Sequence, residues 1–189
     1  MDYVKIPLAA GYYLAEARGE IIAYTDDDVV VDRGWVHALA GVFAEEAEAM
    51  AVPGSVVPYE LETEAQLLFK QYGGFGRGFK RKWYRLNRDR HGREVFHIHA
   101  GQFGTGANMA YRRSLFERIG VFDPALDIGA VTNGGGELEM FFRVLQERQT
   151  RVYEPNTIVR HRHRRKYAQP RVQITDFGLG FYAYLVRRP

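Results

Sequence analysis

No cysteine occurs among the 189 residues. That excludes disulfides, zinc–thiolate sites and a thiol nucleophile, and it is compatible with a cytoplasmic chain. Long apolar runs are missing too, since none approaches the roughly 18 residues of a membrane-spanning helix. Charges interrupt every apolar run near the N-terminus, so the pattern of a secretory leader is absent. The expectation is a cytoplasmic protein that meets a membrane, if at all, peripherally and at its inner face. Neither a repeat nor a linker-like stretch divides the chain. Its length and 46% hydrophobic content suit one domain with a sizeable core. The formal net charge is only +3, and the surplus is concentrated in two basic stretches, residues 77–93 and 160–166.

What is present begins with Ile21-Ile22-Ala23-Tyr24-Thr25, which runs straight into Asp26-Asp27-Asp28. Residues of the first type fit a pleated, buried surface, and Asp ends it. Three like charges at a strand end repel one another unless a cation sits among them, and clustered hard oxygen ligands suit Mg²⁺ or Mn²⁺. In open α/β sheets, ligands bind outside the carboxyl ends of strands. The triplet alone is equally compatible with aspartates that only close a turn and cap the next helix.

The rest of the chain alternates strands and helices. A helix is expected over 8–18 with Gly19 as its cap. Another starts near Gly34, with Trp35, Leu39, Val42 and Phe43 on one face. A strand follows over 50–57, where Pro53 argues for an edge or a bulge. Strand, helix, strand predicts a parallel pair with a right-handed crossover. A helix is expected over about 62–72. Residues 73–85, glycine-rich, basic and aromatic, read as a loop or short helical excursion. Short strands are expected over 95–99 and 107–111, with loop over 101–106 and a short helix over 114–119 stopped by Gly120. Residues 122–136 read as loop throughout. Leu138, Phe141, Phe142 and Leu145, at i, i+3, i+4 and i+7, predict a helix with Glu137 and Glu139 in its first turn, where the macrodipole favours negative charge. Two short strands, 151–155 and 158–159, lead into Arg160-His161-Arg162-His163-Arg164-Arg165. A basic, aromatic tail runs from about 169.

Several of these stretches, in this order and spacing, resemble the family-two glycosyltransferases of the GT-A fold. They are the strand ending in Asp26-Asp27-Asp28 with Trp35 downstream, Gly104-Thr105-Gly106-Ala107-Asn108-Met109-Ala110, Phe122-Asp123, Gly135-Gly136-Glu137-Leu138-Glu139-Met140, and Tyr153-Glu154-Pro155 through His161-Arg162-His163. The resemblance implies an α/β fold of GT-A type, with a mixed, mainly parallel sheet flanked by helices. It implies an inverting enzyme that moves one sugar from a nucleotide-diphosphate sugar to a hydroxyl acceptor on a glycan, lipid or protein. Asp26 and Asp28 match the Asp-x-Asp carboxylates that hold Mn²⁺ or Mg²⁺ on the diphosphate, with Asp27 between them and His161 completing the metal shell. Glu137 aligns with the catalytic base, although Gly136-Glu137 stands where the family often has Glu-Asp; Glu139 is the alternative base. Gly104, Thr105, Gly106, Asn108, Gly135, Gly136, His163 and Arg164, with Asp27, are expected to bind donor or acceptor. For His163, a place in a solvated basic run is the plainer reading. The Gln-x-x-Arg-Trp motif of processive synthases is absent, which favours single-residue transfer.

The family's fold opens with a nucleotide-binding strand, helix and strand, but only about 25 residues precede Asp26 here. The chain is therefore expected to match the later two-thirds of such a catalytic domain. Two other readings remain. One is a non-catalytic remnant that keeps the fold. The other is a single-strand nucleic-acid binder built on Lys80 to Arg85 and Arg162 to Lys166, which mix cations with aromatics. That reading leaves the aspartates unexplained, and no nucleic-acid partner is expected. The tail, with Arg187 and Arg188, is expected either to associate weakly with anionic lipid or to pack on the domain as an ordinary helix.

Overall fold

The computed structural model describes residue 14 and residues 16–72, 74–85, 104–127, 130–132 and 134–187. The strand expected over 95–99 lies outside these residues, as does most of the helix expected over 8–18; Leu14 and Glu16 are helical. Six strands form one mixed sheet: β1 (Ile21–Thr25), β2 (Val29–Val31), β3 (Ala49–Pro58), β4 (Lys82–Tyr84), β5 (Asn108–Arg112) and β6 (Thr150–His161). Their order is β1-β5-β3-β6-β2, with β4 also paired to β6. Helices α1 (Trp35–Glu45), α2 (Glu64–Gln71), α3 (Arg113–Ile119), α4 (Gly136–Gln146) and α5 (Ala168–Arg187) surround it.

Strand composition explains the order. The first four residues of β5 are all buried, so it needs a neighbour on each edge. In β1 only Ile22 is buried, and it lies at the sheet margin. Here the fold departs from the expected crossover. β1 and β3 do run in the same direction, but both are antiparallel to β5, which sits between them. The sheet is mixed as expected, whereas "mainly parallel" needs correction: β3 and β6 are the parallel neighbours, and the pairings of β1, β2, β4 and β5 are antiparallel.

Alternation along the strands feeds two cores, one on each face. On one face Ala49, Val52, Ala110 and Val159 pack with Trp35, Leu39, Val42 and Phe43 of α1. On the other, Ala51, Met109 and Tyr111 pack with Leu115 and Phe116 of α3 and Met140, Phe141 and Val144 of α4. Pro53 sits in a central strand, so of its two expected positions the edge is ruled out; the β3–β6 register is irregular just beyond it. There Gly54 pairs with Glu154 but Ser55 pairs with Ile158, leaving Pro155, Asn156 and Thr157 as an insertion within β6. The expected stop at Pro155 is this irregularity inside one 12-residue strand. β4, in a segment expected to be loop, was hidden because Lys82-Trp83-Tyr84 is too short to show a period; its pairing with Arg151 to Tyr153 supplies what the local sequence does not. The loop over 122–136 contains a 3₁₀ turn at Pro124–Leu126, capped by the Asp123 side chain on Ala125 N–H at 2.9 Å.

The tail from about 169 is helical and packs on the domain. Tyr184 is fully buried against Phe142 and Leu145 of α4. Gly180 meets Gly134 and Gly135 backbone to backbone: a Cβ on Gly135 would overlap the Gly180 carbonyl, and Gly135 also has φ 104°. Both reasons call for glycine there, and the contact seats α5 beside the start of α4.

Candidate active site

Two strand pairings assemble the site. β2 starts directly after Asp28, and its first residue, Val29, pairs with His161 at the end of β6. The backbone continues this pairing, with Arg162 N–H donating to Asp28 O at 2.9 Å. Asp28 and His161 are thereby held side by side. On the opposite side, Thr25 pairs with Asn108, and the Thr25 hydroxyl donates to Ala107 O at 3.0 Å. Asp26 therefore emerges beside the 104–107 turn. A Cβ on Gly106 would lie 3.8 Å from Glu137 Cβ, so this turn rests on the first turn of α4. Asp26, Asp28, Gly106, Glu137 and His161 thus meet in one region.

Asp26, Asp28 and His161 each place a ligand atom within 4.8 Å of the others. His161 Nε2 stands 3.2 Å from Asp28 Oδ1. That oxygen is buried and accepts no aligned hydrogen bond from the described residues. His161 Nδ1 faces His163 Nδ1 at 3.1 Å, so one of those two nitrogens carries the shared proton. If His161 Nδ1 donates, neutral His161 turns a lone pair on Nε2 toward a carboxylate oxygen. Two facing lone pairs repel, and a cation between them removes the conflict. The donor set of two carboxylates and an imidazole suits a divalent ion such as Mn²⁺.

Electrostatics point the same way. Burial, then Asp28, Glu137 and Asp27, push the Asp26 carboxyl up to about 6. Asp26 is itself exposed at the cleft mouth, so like charge contributes along with partial desolvation. Burial also lowers His161, aided by Arg164 and opposed by Asp28. His163 falls to about 4 through burial, His161 and Lys70. Both rings are neutral near pH 7, as metal ligation requires. Burial raises the Glu137 carboxyl, with Asp127 adding to the effect, against backbone hydrogen bonds at Glu137 and Gly135 that favour the anion. Desolvation outweighs the helix terminus, which alone would have held it low.

The other expected site residues divide by position. His163 is not in a solvated run: it is 5% exposed, stacked edge-on against Phe69 at 4.9 Å, behind His161. Asn108 lies within the core at 0% exposure. It accepts from Trp35 Nε1 at 2.9 Å and donates to Ser55 O at 2.9 Å and Thr157 O at 2.7 Å. Its amide ties α1, β3 and β6 together behind the cleft. Asn108→Ala strands three buried groups, each worth about 1–3 kcal/mol, so urea unfolding should show a loss of roughly 3 kcal/mol or more. A loss under about 1 kcal/mol would contradict this role. Glu139 is engaged by Arg143 four residues on, which also donates to the carbonyls of Ile119 and Val121. Asp27 is exposed beside the cluster, and Gly136 is buried in the first turn of α4.

A cavity of about 740 Å³ adjoins the cluster, lined in part by Gly104, Thr105, Gly135, Glu137 and Arg164. The α5 face carrying Gln173, Asp176, Phe177 and Phe181 forms one wall. The sequence reading missed this wall; positions 173, 176, 177, 180, 181 and 184 share one helical face, and that spacing was the available signal. Among the described residues, several cations of the basic stretches are tied to the protein's own acids. Arg81 pairs with Glu45 and Glu154, Arg85 with Glu48, and Arg165 with Glu60 and Glu62.

Comparison with known proteins places this geometry. A search of curated proteins finds no match. Among solved structures, a mannosyltransferase, PcManGT from Pyrobaculum calidifontis, in complex with GDP-Man and Mn²⁺, is similar at TM-score 0.56 and 17% identity, over 100% of this chain and 45% of that one. GalNAc-T7 with UDP, GalNAc and Mn²⁺ is similar at TM-score 0.51 and 17% identity, over 82% of this chain and 30% of that one. At such identity the likeness shows the fold, and the chain spans less than half the length of either structure. Residues 9–120 match the family described as Glycosyl transferase family 2. The match covers more than half of the sequence, and the chain belongs to that family.

Proposed function

We propose that the protein transfers one sugar from a nucleoside-diphosphate sugar to a hydroxyl acceptor with inversion. The observation that carries this reading is the convergence of Asp26, Asp28 and His161 on a cleft that also holds Glu137. Asp26, Asp28 and His161 would hold a divalent ion, Mn²⁺ or Mg²⁺, which when bound supplies positive charge to the donor diphosphate. His163 orients the His161 ring by sharing a proton at Nδ1. Glu137 accepts the proton of the acceptor hydroxyl as that oxygen attacks the anomeric carbon from the face opposite the leaving group. One displacement needs one base and no covalent intermediate. The raised Glu137 carboxyl is a stronger base than an ordinary glutamate. Arg164, which lines the cavity and acts electrostatically on His161, would meet a phosphate oxygen.

Calorimetry of the full-length protein with a panel of UDP- and GDP-sugars, in Mn²⁺ and in EDTA, tests this directly. Metal-dependent binding of at least one donor is expected. Metal-independent donor binding would remove the metal from this reading, and no donor binding would leave the fold as a non-catalytic remnant.

Membrane contact forms part of the proposal. Among the described residues no helix is long and apolar enough to cross a bilayer. The outward face of α5, however, exposes Leu179, Tyr182 and Val186 at spacings of three and four. In sequence, Arg171 precedes and Arg187 and Arg188 follow residues 172–186. Weak, peripheral association with anionic lipid follows. Co-sedimentation with vesicles should rise with phosphatidylserine content and fall in Leu179→Asp; a response to neither would remove this part.

A further inference from the structure

The 740 Å³ cavity indicates what kind of acceptor the site takes. Resting on the transferase reading above, we propose that the acceptor is an amphiphile: a hydroxyl-bearing head that meets Glu137, joined to an apolar body that lies in the cavity.

Position and lining carry the argument. Glu137 lines the cavity and also rests against Gly106 in the turn beside which Asp26 emerges, so it adjoins both cavity and metal cluster. Asp26, Asp28 and His161 themselves do not line the cavity. A donor with its diphosphate at the cluster would therefore meet Glu137 without filling the cavity. Its apolar lining is made by Tyr72, Phe75, Leu138, Val172, Phe177 and Phe181. The Phe75 and Phe177 rings face each other at 5.9 Å, edge to face. A nucleoside diphosphate would leave hydrated charge against these rings, which is costly, and would meet the carboxylates of Glu137 and Asp176. Two cations also line the cavity. Arg77 donates to the Gly74 and Gly76 carbonyls, and Arg164 stands on the His161 side. Thr105, Gln173 and Asp176 offer hydrogen bonds to a hydroxylated head. Mostly apolar walls with a few convergent polar groups are the ordinary make-up of a site for a partly apolar small molecule.

The cavity's position is fixed by the fold. Gly180 packs against Gly134 and Gly135 and so holds α5, with Phe177 and Phe181, beside the helix start that carries Glu137. Acceptor wall and base are thus set by one contact.

The probes are glucose, maltose and the n-alkyl β-D-glucopyranosides hexyl to octyl, each below its micelle concentration, titrated calorimetrically into the full-length protein with Mn²⁺ and donor diphosphate. Octyl glucoside should bind at least tenfold tighter than glucose, with affinity rising about threefold to fourfold per added methylene while the chain enters the cavity. Phe177→Asp and Val172→Asp, at positions 44% and 60% exposed and so compatible with folding, should flatten the chain-length dependence while metal and donor affinity stay unchanged. Equal affinity for glucose, maltose and octyl glucoside would overturn the proposal, as would a chain-length gain that survives both variants. If the chain-length gain fails but a sugar is still transferred to glucose or maltose, this proposal falls and the transferase reading stands. If the gain holds but no nucleotide sugar yields transfer to any probe, the transferase reading falls instead.

Discussion

Glu137→Gln should lower turnover by about 10²–10⁴-fold, the typical contribution of a positioned general base, while donor affinity stays nearly constant. The substitution keeps size and hydrogen-bonding shape but removes the group that accepts the acceptor proton. It also removes a negative charge that raises the Asp26 carboxyl; the same charge attracts a cation, so metal affinity should hold or fall slightly. Donor and metal binding by calorimetry, with turnover measured on the same preparation, separates the two effects. Turnover like the parent's would eliminate Glu137 as the base. Glu139→Gln is the paired control. Glu139 is tied to Arg143 and through it to the 119–121 turn, so its loss should act on stability more than on chemistry. A dead Glu139→Gln beside an active Glu137→Gln would shift the base by half a helical turn.

Asp28→Ala should abolish Mn²⁺-dependent donor binding and leave the fold intact. The Asp28 backbone carbonyl, which anchors Arg162 N–H, is retained, whereas the side chain lost is the one whose buried oxygen faces His161 Nε2. Removing one of several crowded carboxylates relieves repulsion, so the Asp26 carboxyl should fall from about 6 toward the ordinary range, staying partly raised by burial. A carbon-13 titration of Asp26 reads that shift. In the parent protein a proton on Asp26 competes with the cation, so Mn²⁺ affinity should decline as pH falls through 6, up to about tenfold per pH unit well below it. Mn²⁺ affinity unchanged by Asp28→Ala would return the triplet to a turn-closing role.

The parts of this arrangement that were legible in the sequence are those set by local pattern. Strand character before Asp26, the apolar face of α1 and the i, i+3, i+4, i+7 run of α4 follow from side-chain period alone. The order and spacing of short motifs then suggested which carboxylates and which histidine belong together, although no periodicity shows that Val29 pairs with His161. What was not legible depends on pairing at a distance. β5 comes late in the chain and inserts between β1 and β3 because its burial demands two neighbours. Three-residue β4 exists only through its pairing with β6. Asn108 sits in a motif that resembles a ligand loop, yet its amide is consumed by Trp35, Ser55 and Thr157, contacts made across 73, 53 and 49 residues of sequence. His163 looked solvated among arginines, and burial beneath Phe69 and Phe75 is a tertiary fact.

The proposal rests on Asp26 and Asp28, beyond the end of β1, and His161, at the end of β6, which would together hold one divalent cation beside Glu137. A crystal grown with Mn²⁺ and UDP or GDP, measured at the manganese absorption edge, tests it most directly. A single strong anomalous peak is expected within coordination distance of Asp26, Asp28 and His161, with the Glu137 carboxylate in the same cleft but outside the coordination sphere. A peak elsewhere on the molecule, or diphosphate bound with no anomalous density among those three side chains, would contradict it.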